Sequence, residues 1–271
     1  MRDYSRRFLT CPRDKLVAID GIAQAVQRVV KCDYVAGLWS SNLLYGISWS
    51  RECGKDTMDM TLPPHVFHIE YRAPTWSWAS IDGALGYYTP ASGDSLISNA
   101  EIVSWDVRTF DDTQFGQVKD GSLQIRGHLI PGILNREPTE EDYNLGFRAL
   151  EPDLIVEPNN WRLVPDVNLQ ILPYLDIDGK QSWSVCHYLG LIPSLSTERD
   201  DVLTETDSDR LEDARVWLLY LGYFTYIGYT KTTHMFLLLG ISPRDSRSYE
   251  RIKLASNAIY FTSRLYKLRY L

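Results

Sequence analysis

No paired cysteines, no glycosylation sequon and no long apolar run mark this chain. Its four cysteines, Cys11, Cys32, Cys53 and Cys186, include no C-x-x-C spacing. With 271 residues, 44% of them hydrophobic, the chain can bury a core without covalent staples. The cysteines therefore read as reduced thiols of an intracellular, cytoplasmic protein. No apolar stretch approaches the ~20 residues that cross a bilayer. The N-terminus, Met1-Arg2-Asp3-Tyr4, lacks the apolar core of a signal peptide. A formal net charge of −7 supplies no basic face for nucleic acid or an anionic membrane.

Motifs of catalysis are missing too. The chain holds no G-x-x-x-x-G-K-[ST], G-x-G-x-x-G, G-x-S-x-G or H-E-x-x-H sequence. Five histidines leave little room for imidazole acid–base chemistry. His65-x-x-His68 with Glu70 has three donor types, but the Pro63-Pro64 lead-in opposes a helix, and residues three apart in a strand face opposite sides. Asp176-Ile177-Asp178-Gly179 lacks the closing Glu of a calcium loop and reads as a turn. Cys186 and His187 are neighbours, so a strand would point them apart. No metal and no cofactor are expected.

What is present is aromatic. The 8 Trp and 17 Tyr favour a β-rich part. Leu16, Ile19, Ile22, Val26 and Val29 recur at spacings of three and four, which predicts an amphipathic helix running to about Lys31. It enters through Thr10 or Asp14 as cap, with Pro12 in the first turn. Trp39, Leu43 and Ile47 predict a second, shorter helix. Beyond Gly83, strands are predicted around 103–107, 123–129, 167–175, 182–192, 216–225, 235–241 and 249–254, with Asp120-Gly121 as a turn. Residues 50–65, 83–94 and 135–160 read as loops. So does the acidic stretch 195–213, where eight acidic residues between Glu198 and Asp213 face two basic ones, Arg199 and Arg210.

Between helices and strands lies Tyr71-Arg72-Ala73-Pro74-Thr75-Trp76-Ser77-Trp78-Ala79-Ser80-Ile81-Asp82-Gly83. Pro74 pushes Ala73 toward an extended conformation. In an extended segment, Trp76 and Trp78 face one side and Ser77 the other. Asp82-Gly83 ends the stretch as a turn. It reads as a packing knot built on Tyr71, Arg72, Pro74, Trp76, Trp78, Asp82 and Gly83. A second reading makes it a ligand platform, with Arg72, Trp76, Trp78 and Trp105 as binding residues and Trp183 as a further stacking face. The predicted fold class is α+β, with N-terminal helices packed on a mostly antiparallel β domain, sandwich- or barrel-like. A helical segment at 1–70 precedes a β-rich domain at 71–271.

Two segments carry a family resemblance. Pro12-Arg13-Asp14-Lys15-Leu16-Val17-Ala18-Ile19-x-Gly21-Ile22-Ala23 is followed by Tyr34-x-Ala36-Gly37-Leu38-Trp39, and then by the 71–83 stretch. This order resembles the region downstream of the HET domain in fungal heterokaryon-incompatibility proteins. Asp120-Gly121-x-Leu123-x-Ile125-x-Gly127 and the apolar strand ending at Gly240 are similar to that family's C-terminal part. The likeness spans roughly residues 8–255. The family's N-terminal motifs, aromatic-Ser-Tyr-x-Trp-Gly and Trp-Ile-Asp-x-x-Cys-Ile, are absent, so the HET domain proper is expected to be missing. Its cell-death and nucleotide-related activities cannot be carried onto residues here. The resemblance implies a non-catalytic regulatory or interaction region of a self/non-self recognition protein, with another protein of the incompatibility system as partner. Two alternatives remain: an aromatic platform for a glycan or nucleotide, and a hydrolase whose carboxylates meet only in the fold.

Overall fold

The predicted first helix forms in pieces. Pro12–Lys15 and Val17–Ile19 are single 3-10 turns, and the α-helix α2 runs only over Asp20–Val30. A four-residue helix, α1, Arg2–Ser5, comes before it. Lys31 ends α2 in the left-handed region, at φ 52°, its N–H returning to Gln27 O. The apolar spacing located the helix but not the buried face. Ala23 is buried, whereas Ile22 and Val29 are 65% and 79% exposed.

These findings come from a computed structural model that describes residues 2–7, 9–51, 71–87, 96–111, 113–137, 144–150, 169–175, 181–187, 214–225, 231–242, 244–245 and 247–260. The readings at 52–70 (His65, His68 and Glu70 among them), 176–179, 195–213 and 261–271 lie outside these residues. The described chain is α+β, with few helices near its start and mostly antiparallel strands in several sheets that do not close into a barrel. No helix among the described residues is long and apolar enough to cross a membrane.

Two compact units form, and the chain interleaves them. The first takes Met1–Tyr88 and Glu101–Arg126, and the second takes Thr89–Ala100, Gly127–Tyr188 and the stretch from Ile192 onward. In the first unit, β1 (Tyr34–Val35) and β2 (Leu38–Trp39) form a tight hairpin. Its two turn residues, Ala36 and Gly37, have φ of 46° and 95°, the backbone hand that matches strand twist. Trp39 thus ends a strand instead of starting the second helix. That helix shrinks to one turn, α3, Leu43–Gly46. β3 (Trp49–Arg51) pairs β4 (Leu85–Tyr87), so strand pairing reaches into both the 50–65 and 83–94 stretches read as loops. β6 (Glu101–Thr109) and β7 (Val118–Arg126) form a two-stranded ribbon. Asp120-Gly121 lies inside β7 and is not a turn. A side chain at Gly121 would come within 2.7 Å of Pro74 Cγ, so this glycine marks the place where the central stretch packs on the ribbon.

The second unit is an eight-stranded sheet. Its strands are β5 (Ile97–Ser98), β8 (Leu129–Glu137), β9 (Asn144–Ala149), β10 (Leu169–Leu175), β11 (Gln181–His187), β12 (Ala214–Thr225), β13 (Lys231–Ile241) and β14 (Tyr249–Tyr260). β9 forms inside the acidic 135–160 stretch that read as a loop. Its Phe147, 2% exposed, anchors it against β8. β12 pairs with β13, β8 and β5 antiparallel and with β11 parallel. Strands buried on both faces read as unbroken apolar runs, and β12 does: Val216, Leu218, Leu219, Tyr220 and Leu221 are all buried. β14 ends the sheet path, as the edge neighbour expected at 249–254.

Candidate functional site

The central stretch is not extended. Ser77 N–H donates to Pro74 O at 2.9 Å and Ser80 N–H to Ser77 O at 3.1 Å, closing two successive turns. Ser77 Oγ accepts from Ala79 N–H and donates to Ala36 O, at 3.1 and 2.6 Å. A short hydroxyl that bonds backbone locally competes with the strand conformation, and here it wins. The consequence is that Trp76 and Trp78 do not share a face. The Trp78 indole N–H reaches Gly37 O at 2.7 Å. Ser77 and Trp78 therefore hold both carbonyls of the β1–β2 turn, which helps keep Ala36, a residue with a Cβ, in the left-handed region.

Beside this grip lies a charged cluster. Arg72 Nη1 and Lys15 Nζ approach the same oxygen, Asp82 Oδ1, at 2.9 and 3.4 Å. The two cations are 2% and 5% exposed, and the carboxylate 38%. Lys15 Nζ also donates to Ile81 O and lies 5.5 Å from the centre of the Trp78 ring. The Arg72 contact is an ion pair without hydrogen-bond alignment, and its buried nitrogens have no in-line acceptor among the described residues. Burial, and secondarily Arg72, lower the Lys15 amine to a pKa of about 8 against the pull of Asp82. Burial likewise lowers Arg72, opposed by Asp82.

A testable pH dependence follows. Below pH 8 Lys15 is charged in both states, and folding bears the full cost of burying that charge. Between about pH 8 and 10 the unfolded chain binds more protons than the fold, so stability rises with pH, by about 2 kcal/mol. Burial pushes the Tyr34 phenol well above its usual value. Its contribution is lost only as pH climbs past 10, beyond this window. Urea unfolding from pH 7 to 10 should show the rise, and Lys15→Met should flatten it while leaving stability at pH 7 equal or higher. A flat profile for the unsubstituted protein would refute the assignment.

The four expected binding residues occupy different settings. Arg72 and Trp78 are buried and structural, 4% and 1% exposed. Trp76 is half-buried against the β6–β7 ribbon, its carbonyl accepts from Trp49 Nε1 at 2.9 Å, and its own indole N–H is buried without an acceptor among the described residues. Trp105 stands apart on β6 and is 41% exposed. It borders a cleft of about 260 Å³ with Asp33, Tyr34, Val35, Asp106, Val107, Thr109, Thr113 and Gln114. Trp183 lies on β11, opposite Pro173 of β10.

Sequence reading missed Lys15, because a lysine inside an amphipathic pattern looks like a surface residue. It missed Asp33 and Tyr34 for a different reason: nothing in the spacing brings residue 33 beside residue 106. In the second unit Tyr220 Oη and His234 Nδ1 lie 2.8 Å apart with stacked rings. Burial lowers the His234 pKa, so this imidazole is neutral at pH 7. Among the described residues no group of three or more metal-ligating side chains assembles. No protein-family model, curated protein or solved structure matches the chain.

Proposed function

We propose that this chain is a non-catalytic interaction region, the role implied by its resemblance to heterokaryon-incompatibility proteins, and that it engages another protein of that system. One observation carries the reading. Val17, Ile22, Val26, Val29 and Val30 are 45%, 65%, 37%, 79% and 44% exposed, and all lie on or just before α2. An amphipathic helix ordinarily turns its aliphatic stripe to its own core. Here the helix anchors itself through Ala23 and turns the stripe outward. Contiguous exposed aliphatics rimmed by polar residues mark a surface that meets a partner.

The test uses the double substitution Ile22→Glu/Val29→Glu. Both side chains are exposed, so folding stability should stay within about 0.5 kcal/mol of the parent. The tagged parent, purified from a fungal host, should retain a defined protein that the double variant loses. Equal retention by both chains would remove the α2 surface from the reading. Turnover of a small molecule by the purified chain would overturn the non-catalytic role itself.

A further inference from the structure

The cleft beside Trp105 has a chemistry of its own. Trp105, Asp106 and Val107 are consecutive on β6, yet all three border it. Successive side chains of a strand point to opposite faces, so a cleft touching three in a row runs along the strand's edge. Among the described residues no strand pairs with β6 on that side. The opposite wall is the start of the β1–β2 hairpin. Asp33 is fixed there by Ser40 Oγ, which accepts its backbone N–H at 3.0 Å, and by Gln114 Nε2, which donates to Asp33 Oδ1 at 3.4 Å. The Tyr34 ring is closed off by stacking on Phe115 at 5.2 Å. Trp105 is thus the open aromatic face of the cleft.

The charge of the lining selects a ligand class. Two aspartates, Asp33 and Asp106, border the cleft, and among the described residues no Lys, Arg or His does. A phosphate-bearing nucleotide would be repelled, and a neutral sugar, although its hydroxyls can donate to the carboxylates, would leave both negative charges uncompensated. We propose that the cleft binds an organic cation, a guanidinium or primary ammonium group on an aliphatic stem. The cation would stack on Trp105 and be neutralised by Asp33, with Asp106, on the other face of β6, adding to the negative potential at longer range. Its volume of about 260 Å³ accommodates one such side chain or a small free amine.

The indole N–H signal of Trp105 in a proton–nitrogen correlation spectrum reports on the site directly, and its loss in Trp105→Phe assigns it. Two probes separate the sources of the cation: agmatine as a free amine, and an acetyl-Gly-Arg-Gly-amide peptide as a partner's side chain. Either should shift the signal saturably, with a dissociation constant on the order of millimolar. Asp33→Asn/Asp106→Asn should weaken binding about tenfold, as should higher salt. Similar affinity for both probes identifies a free-amine site. Tenfold tighter binding of the peptide identifies a partner's arginine. The proposal fails if neither probe shifts the signal at about 50 mM, far above the expected dissociation constant. It also fails if N-acetylglucosamine binds equally well, or if the double Asn variant binds unchanged.

Discussion

Asp82→Asn should destabilise the first unit by about 3 kcal/mol, read as a lower urea midpoint with an unchanged slope. Asp82 is the shared counter-ion of two cations that are 2% and 5% exposed. Removing it leaves both charges buried, and breaking a buried pair by deleting one partner costs about 3–5 kcal/mol. The carboxylate is 38% exposed, and water screens part of the loss, which places the expectation at the low end. The substitution should also enlarge the alkaline rise in stability and start it at a lower pH, because Lys15 loses a carboxylate that favours its charged form. Adding Lys15→Met to Asp82→Asn should restore part of the loss, since one buried charge then remains instead of two. A single variant within about 1 kcal/mol of the parent would show that the cluster is solvated and that its charges do not depend on one another.

Trp78→Ala should cost about 3–5 kcal/mol, the range for emptying a buried aromatic site. The side chain is 1% exposed, meets the Tyr4 ring edge-on at 5.9 Å, and donates its indole N–H to Gly37 O. Trp78→Phe separates the two contributions. It keeps most of the apolar volume and leaves the Gly37 carbonyl without its donor, for about 1–2 kcal/mol. Circular dichroism and urea unfolding of both variants check the order. If Phe is as damaging as Ala, the hydrogen bond to the turn outweighs the packing.

The fold class was legible because its signal is periodic. β6 alternates and β12 runs apolar without a break; β6 extends two residues beyond each end of the expected 103–107, and β12 starts two residues early and ends at Thr225 as expected. What went wrong went wrong through long-range contacts. Asp120-Gly121 has turn chemistry, yet it sits in a strand because Pro74 and Trp76 need the space that a side chain would fill. Trp76-x-Trp78 has strand spacing, yet Ser77 finds Ala36 O across 41 residues and closes a turn instead. Trp39 starts an i, i+4, i+8 series but pairs with Tyr34 across a hairpin whose signal, Ala36-Gly37, is weak because alanine seldom takes that backbone hand. Of Arg72, Trp76, Trp78 and Trp105, it is Trp105 that presents an open face. Its carboxylate neighbours became visible only once the hairpin at 33–35 and the strand at 105–107 were seen to share a cleft.

The interleaving of the two units sets a timetable on the ribosome. All described elements of the first unit have emerged by Arg126. β5, which precedes the last described part of that unit, belongs to the second, where Ser98 pairs with Gly222. The separation, 222 − 98, is 124 residues. At roughly 5–20 residues per second, Ile97 and Ser98 wait roughly 6–25 s for the strand they pair with. The meeting point admits only glycine: Gly222 has a φ of +145°, and a side chain there would lie 2.1 Å from Ile97 O. Ile97 and Ser98 therefore leave the ribosome well before the residues of β12 that they pair with.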